Sequence, residues 1–280
     1  MSFSSADSAN TGDASRLFRE GNLADALTAA TAAVKRAPTD IRSRVLLAEL
    51  LAFSGNFDRA DVLLDAAAEL EPATAIVVAE FRQLLRGALA RSQLFSDGRV
   101  PEFLGEPTAA QRSSLAAIVA LRNGDAAEAA RLVAQAEQDR PHPTGVARGL
   151  PFDDMRDADD LLASCFEVIT TTGKYFWIAP ERVLTLEFHA PKRPRDLFLR
   201  RATIQVASGP DGDVYVPVIY PPAKSAATTM TDALRLGRAT DWQPAGDGGP
   251  TVGLGAVTIM VGDDALTWLE IDSIAFEVAS

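Results

Sequence analysis

Apolar and small residues recur at three- and four-residue intervals through the front half of the chain, and the pattern repeats. Three glycines followed by Asn or Asp mark it: Gly21-Asn22, Gly55-Asn56 and Gly124-Asp125. Counting on from each, positions +2, +5, +9, +12 and +17 read Leu23, Ala26, Ala30, Ala33 and Pro38 in the first copy. They read Phe57, Ala60, Leu64, Ala67 and Pro72 in the second, and Ala126, Ala129, Val133, Ala136 and Pro141 in the third. The first two copies lie 34 residues apart, the tetratricopeptide period. Glycine accepts the backbone angles of an inter-helix turn, alanine at +5 and +12 lets paired helices approach closely, and proline ends the second helix. The same spacing keeps one apolar face along that helix. Three helical hairpins are therefore expected, stacked as a short solenoid.

The third copy is out of phase. Ala73 to Leu94 reads as one long helix with Ile76, Phe81, Leu84, Leu85 and Leu89 available for burial, followed by a loop from Ser96 to Pro101 and a new first helix near Thr108. In such stacks the first helices line a concave face that takes partner peptides. By repeat position Phe18 and Arg19, then Arg42, Val45, Glu49 and Phe53, then Ile118 and Arg122 point to that face and are the candidate partner-binding residues. The alternative is that the C-terminal half covers it.

After Pro141-His142-Pro143 the pattern changes. An acidic run from Asp153 to Asp160 leads into an apolar stretch, Leu161, Leu162, Cys165, Phe166, Val168 and Ile169, that reads as an amphipathic helix ending at Thr172-Gly173. Acidic residues ahead of a helix complement its positive end. Strands are predicted at 175–178, 183–188, 202–207 and 214–220, and further on at 255–261 and 266–278, with turns at Asp211-Gly212-Asp213 and Gly262-Asp263-Asp264. The expected fold class is α+β: N-terminal tetratricopeptide-like helical hairpins over residues 1–145, then a helix plus a mostly antiparallel β-rich domain, sheet or small barrel, over 146–280.

Composition narrows the function. With 280 residues, a formal net charge of -11 and 23% charged residues, the chain is an acidic globular protein, which argues against nucleic-acid binding. A lone cysteine, Cys165, fits a structural thiol in a reducing compartment. Residues 1–13 carry no basic or apolar signal region, and no apolar run approaches the roughly 18 residues of a membrane span, so a cytoplasmic location without membrane contact is expected.

No catalytic, cofactor-binding or metal-ligating set emerges. The two histidines, His142 and His189, and the single cysteine lack zinc spacing, and the acidic run lacks the glycine and terminal glutamate of a calcium loop. There is no nucleophile elbow; Gly173-Lys174 lacks the upstream glycine of a phosphate loop; Gly253-Leu254-Gly255 has Thr258 where a dinucleotide fingerprint needs its third glycine, and reads as a turn or strand bulge. The enzymatic alternatives are a Cys165–His189 pair, or acid-base work by Asp196, Asp241 and His189. The basic stretch Lys192-Arg193-Pro194-Arg195 with Arg200-Arg201 suits either an acidic partner or a solvated connection between strands.

Five motifs stand in a fixed order behind the repeats: Phe103-Leu104-Gly105-Glu106-Pro107, Tyr175-Phe176-Trp177-Ile178, Pro194-Arg195-Asp196-Leu197, Val216-Pro217-Val218-Ile219-Tyr220-Pro221 and Leu236-Gly237-Arg238-Ala239-Thr240-Asp241-Trp242. Together they resemble the ImpE/TagJ (SciE) family over nearly the whole chain. The resemblance implies a non-enzymatic cytoplasmic accessory protein of the type VI secretion system. The implied partner is the N-terminal helix of the small contractile-sheath subunit, and through it, indirectly, the AAA+ ATPase that recycles contracted sheath. Two places depart from the family pattern: Phe152-Asp153-Asp154 lacks a nearby tryptophan, and Tyr220-Pro221-Pro222-Ala223 replaces a Tyr-Pro-Gly-Ser turn. The alternative reading is a generic tetratricopeptide-like scaffold or chaperone unrelated to secretion.

Overall fold

The structure, a computed structural model, describes residues 5–71, 73, 75–221 and 230–277. Pro72, Pro222, Ala223 and Val278, each invoked by the sequence pattern, lie outside the described residues. The front half begins with two helical hairpins, α1 (Ser5–Glu20) with α2 (Leu23–Arg36) and α3 (Ile41–Phe53) with α4 (Phe57–Leu70). Gly21 and Gly55 turn the chain between paired helices at φ of 92° and 71°, angles that strain a residue carrying a β-carbon. Ala26, Ala33, Ala60 and Ala67, at the +5 and +12 positions, are buried where the paired helices meet.

A long helix, α5 (Ala75–Asp97), separates these from the third hairpin, α6 (Ala109–Arg122) with α7 (Ala126–Asp139). Thr108 and Gln111 form a capping box that starts α6. Along α5 the expected burial holds for Phe81, Leu84 and Leu85, whereas Leu89 is half-buried and Ile76, in the first turn, is 84% exposed.

The back half is a nine-stranded sheet in the order β1-β6-β5-β9-β8-β7-β14-β2-β3. These strands are β1 (Glu102–Phe103), β2 (Gly145–Ala147), β3 (Leu150–Phe152), β5 (Phe166–Thr170), β6 (Tyr175–Ile178), β7 (Val183–Phe188), β8 (Leu199–Val206), β9 (Gly212–Pro217) and β14 (Ser273–Phe276). The short β1 pairs parallel with β6, and the other neighbours pair antiparallel. Smaller sheets join β4 (Met155–Asp157) to β12 (Thr258–Val261) and β13 (Asp264–Thr267), and β10 (Thr240–Pro244) to β11 (Thr251–Gly255). A single helical turn, α8 (Asp232–Arg235), lies beside β11.

Two expectations are corrected. The helix anticipated after the acidic run is absent: turns follow β4, and Phe166 to Thr170 form β5 near the middle of the large sheet. Phe166, Glu167, Val168 and Ile169 are all buried, so both faces of β5 are covered and the alternation that marks a half-exposed strand is lost. Helix α5 provides part of that cover, passing so near that a β-carbon at Gly87 would stand 2.3 Å from Ile169 Cγ2. The strand anticipated over 266–278 is two strands, β13 and β14, split by a turn that buries Trp268 and Ile271.

One cluster of buried apolar residues runs from Ala14 in α1 through α5 and the sheet to Ile274 in β14. Helices and sheet thus share a core, and that arrangement decides which surfaces stay open.

Candidate partner-binding surfaces

The concave face of the first two hairpins is occupied by the chain itself. A 3-10 turn, Pro194–Leu197, leads into β8 and packs on α3. Phe198 stacks against Phe53 at 5.6 Å between ring centroids and against Phe57 at 6.1 Å, and Phe53 meets Phe18 at 5.3 Å. Arg195 lies with its guanidinium carbon 4.8 Å over the Phe81 ring, and Glu49 is buried beneath this segment. Burial lifts Glu49 to about 7 despite the opposing charges of Arg195 and Arg193. Of the residues assigned to this face, Phe18, Glu49 and Phe53 are therefore interior; Arg19 and Arg42 are exposed, and Val45 is half-buried. Of the two readings, cover by the C-terminal half holds for Phe18, Glu49 and Phe53, and it has a simple cause: a short array leaves an apolar concave face, and the β-rich half supplies an aromatic residue and a cation to fill it.

The remaining two assigned residues, Ile118 and Arg122, lie elsewhere, along an open groove with a volume of about 570 Å³. Its walls come from the C-terminal turns of α5 (Ser92, Phe95, Ser96), from α6 (Ile118, Leu121, Arg122), and from β11 with its approach (Ala245, Gly246, Val252, Gly253). On each helix the lining residues follow the i, i+3, i+4 rule that places side chains on one face. The groove is therefore bounded by two helical ridges and one sheet edge. Ser92 and Phe95 escaped the repeat-based assignment because α5 belongs to no repeat, although its spacing was readable; Leu121 lies on α6, within the third repeat, and was passed over.

The groove floor rests on a buried polar network. Asp159 lines the groove and accepts backbone hydrogen bonds from Gly253 (2.8 Å) and Leu161 (2.8 Å), while burial lifts it to about 7. Asp157 accepts the Tyr220 hydroxyl at 2.5 Å, and burial with the neighbouring Asp159 charge pushes it well up. Deeper still, Arg91 of α5 donates to both oxygens of Glu167 on β5, at 2.8 and 2.6 Å, and to the Ile219 carbonyl at 2.9 Å. Tyr175 donates to Glu167, and Trp177 donates to the Tyr175 hydroxyl. The acidic run is thus structural: Asp154 pairs with Arg140 at 2.5 Å and contacts His142, and Asp160 accepts from the Thr251 amide.

The residues considered for chemistry are not brought together as a reacting set. Cys165 is buried, and burial pushes its thiol well up, away from thiolate formation. His189 is exposed and contacts Thr203 and Asp213. Asp196 accepts the backbone amides of Lys192 and Arg193, and Asp241 accepts that of Trp242. No group of His, Cys, Asp and Glu that could hold a metal ion occurs among the described residues. Gly253 sits within β11 because the Tyr220 ring lies against it, where a β-carbon would come to 2.2 Å. Among the described residues no helix is long and apolar enough to cross a membrane.

Comparison with known proteins gives the following. The sequence profile of the ImpE protein family matches residues 149–275, and a tetratricopeptide repeat profile matches residues 17–92. A Pseudomonas aeruginosa protein, type VI secretion system accessory component TagJ, is 32% identical over 237 residues, covering 83% of this chain and 82% of that protein. A crystal structure of a Vibrio parahaemolyticus protein superposes with a TM-score of 0.87 at 27% identity, covering 95% of this chain and 97% of that one.

Proposed function

The chain belongs to the ImpE family, and from that premise we infer that it is a non-enzymatic adaptor of a type VI secretion system, working in the cytoplasm. Its partner in this reading is the N-terminal helix of the small contractile-sheath subunit. The observation that carries the reading is the groove between α5, α6 and β11: two sets of i, i+3, i+4 residues, with Phe95 on one helix and Ile118 and Leu121 on the other supplying apolar contacts, suit an amphipathic helix laid between them. The filled concave face of the first hairpins turns the search for the partner to this groove. Arg122, exposed on its rim, would meet an acidic residue of the incoming helix.

The test is a calorimetric titration of the purified protein with a peptide copying that sheath-subunit helix. Binding in the micromolar range is expected, weakened about tenfold or more by Leu121→Asp, which puts a charge into the apolar wall. Absence of heat at high micromolar peptide would overturn the partner. Binding that survives Leu121→Asp unchanged would overturn the groove.

A further inference from the structure

A second cavity, of about 210 Å³, opens on a different face, between the start of α5, the 192–196 connection and the paired strands β8 and β9. Its lining is unlike the rest of this acidic protein: Lys192, Arg193, Arg195, Arg201 and His189 surround it, against two carboxylates, Glu80 and Asp196. Both carboxylates are already engaged, Glu80 by the Tyr215 hydroxyl and Asp196 by the backbone amides of Lys192 and Arg193. Arg201 is paired with Asp213 at 2.5 Å. His189 stands 3.8 Å from the same carboxylate. Among the described residues, the side chains of Lys192, Arg193 and Arg195 have no carboxylate within 4.0 Å.

Arg195 is the telling member. It is only 7% exposed, its guanidinium is stacked on Phe81, and its buried Nε has no hydrogen-bond acceptor, although its charge acts on Glu49, whose Oε1 is likewise buried without a partner. A buried guanidinium that leaves a donor unused is costly, and because Nε is enclosed an acceptor entering the cavity would meet the outer N–H groups of the same guanidinium. The rim adds a second character: Val77 lines the cavity and is 45% exposed, and its neighbour Ile76 is 84% exposed.

The geometry points to this cavity as a binding site for a carboxylate side chain of a partner protein, presented on an acidic segment with apolar residues beside it. A carboxylate matches the planar guanidinium fork. The apolar rim of Ile76 and Val77 favours a peptide over a free inorganic anion, and Glu80 and Asp196 would repel phosphate, which carries close to two charges, more than a single carboxylate. The site is separate from the α5–α6 groove, so its fate does not depend on the sheath-helix reading.

The experiment is a backbone amide NMR titration of the full chain with acetyl-Leu-Glu-Leu-Glu-amide, with acetyl-Leu-Gln-Leu-Gln-amide and with inorganic phosphate. The Glu peptide is expected to give saturable shifts at the amides of Lys192, Arg193, Arg195 and Asp196 and at the Arg195 Nε–H. The response should weaken about tenfold in Lys192→Ala/Arg193→Ala, two exposed positions whose loss leaves the remaining spectrum in place. Equal shifts from the Gln peptide, a response untouched by the double substitution, or no saturable shift at millimolar peptide would overturn the proposal. Tighter binding of phosphate than of the Glu peptide would also overturn it and reassign the cavity to a phosphate group.

Discussion

Replacing Glu167 with Gln tests how the helical half is fastened to the sheet. Arg91 and Glu167 are each 7% exposed in their side chains and joined by two charge-assisted hydrogen bonds, at 2.8 and 2.6 Å. Glu167→Gln keeps the shape and one acceptor oxygen but turns the other into a donor facing the guanidinium and leaves the Arg91 charge buried without a countercharge, with the Ile219 carbonyl as its other acceptor. Breaking one side of a buried pair costs about 3–5 kcal/mol, because the surviving charge is uncompensated. For 280 residues, an unfolding entropy of about 2.1 cal/mol/K per residue converts this into a fall in Tm of roughly 5–8 °C. Thermal unfolding followed by circular dichroism at pH 7.5 would measure it. The apolar double substitution Arg91→Met/Glu167→Leu should recover at least half of the loss, since it removes both buried charges together. A fall below about 2 °C for Glu167→Gln, or a double variant worse than the single one, would refute this account of the junction.

Gly87→Ala should destabilise the fold by about 1–3 kcal/mol, read as a lower urea midpoint, because the added methyl meets Ile169 at 2.3 Å between two packed elements. Phe198→Ala should cost about 2 kcal/mol and make the concave face bind a hydrophobic dye, since Phe53 and Phe57 lose the ring that covers them. Stability should fall as pH rises from about 4 to 7: burial lifts Glu49 and Asp159 to about 7, so the folded state holds protons there that the unfolded state has released. Hydrogen bonding to arginine holds Asp61 and Asp213 below the usual carboxylate range, and they act in the opposite sense, at still lower pH. Glu49→Gln should flatten the slope between pH 5 and 7 and give a higher urea midpoint than the parent at pH 8.

The helical half was legible because its signals are local. A glycine at each hairpin turn and alanines where paired helices touch are imposed within one repeat, and the structure uses them that way at Gly21, Gly55, Ala26 and Ala60. β5 was not legible as a strand because its neighbours lie far off in sequence. With α5 above it and strands on either side, Phe166 to Ile169 became a continuous buried run, and such a run has no period of two to read. The β-branched run Val168-Ile169-Thr170-Thr171-Thr172 was the local hint of a strand.

The partner surface was half legible for a related reason. Repeat position assigned one face each of α1, α3 and α6 to a partner, but it carries no information about which of those faces the rest of the chain will cover. Phe198 comes from 145 residues beyond Phe53 to cover one, while Ile118 and Arg122 on α6 remain beside an open groove that α5 and β11 complete. The Lys192 to Arg195 stretch was readable as basic; that Arg195 turns inward with a donor unused was not.

Amide hydrogen exchange of the protein with and without the sheath-subunit helix peptide tests the central claim most directly. Slower exchange is expected in peptides covering 92–96, 118–126 and 245–253, with residues 42–53 unchanged. Protection confined to 42–53, with the α5–α6 groove unaffected, would contradict the account and return the partner to the concave face of the first hairpins.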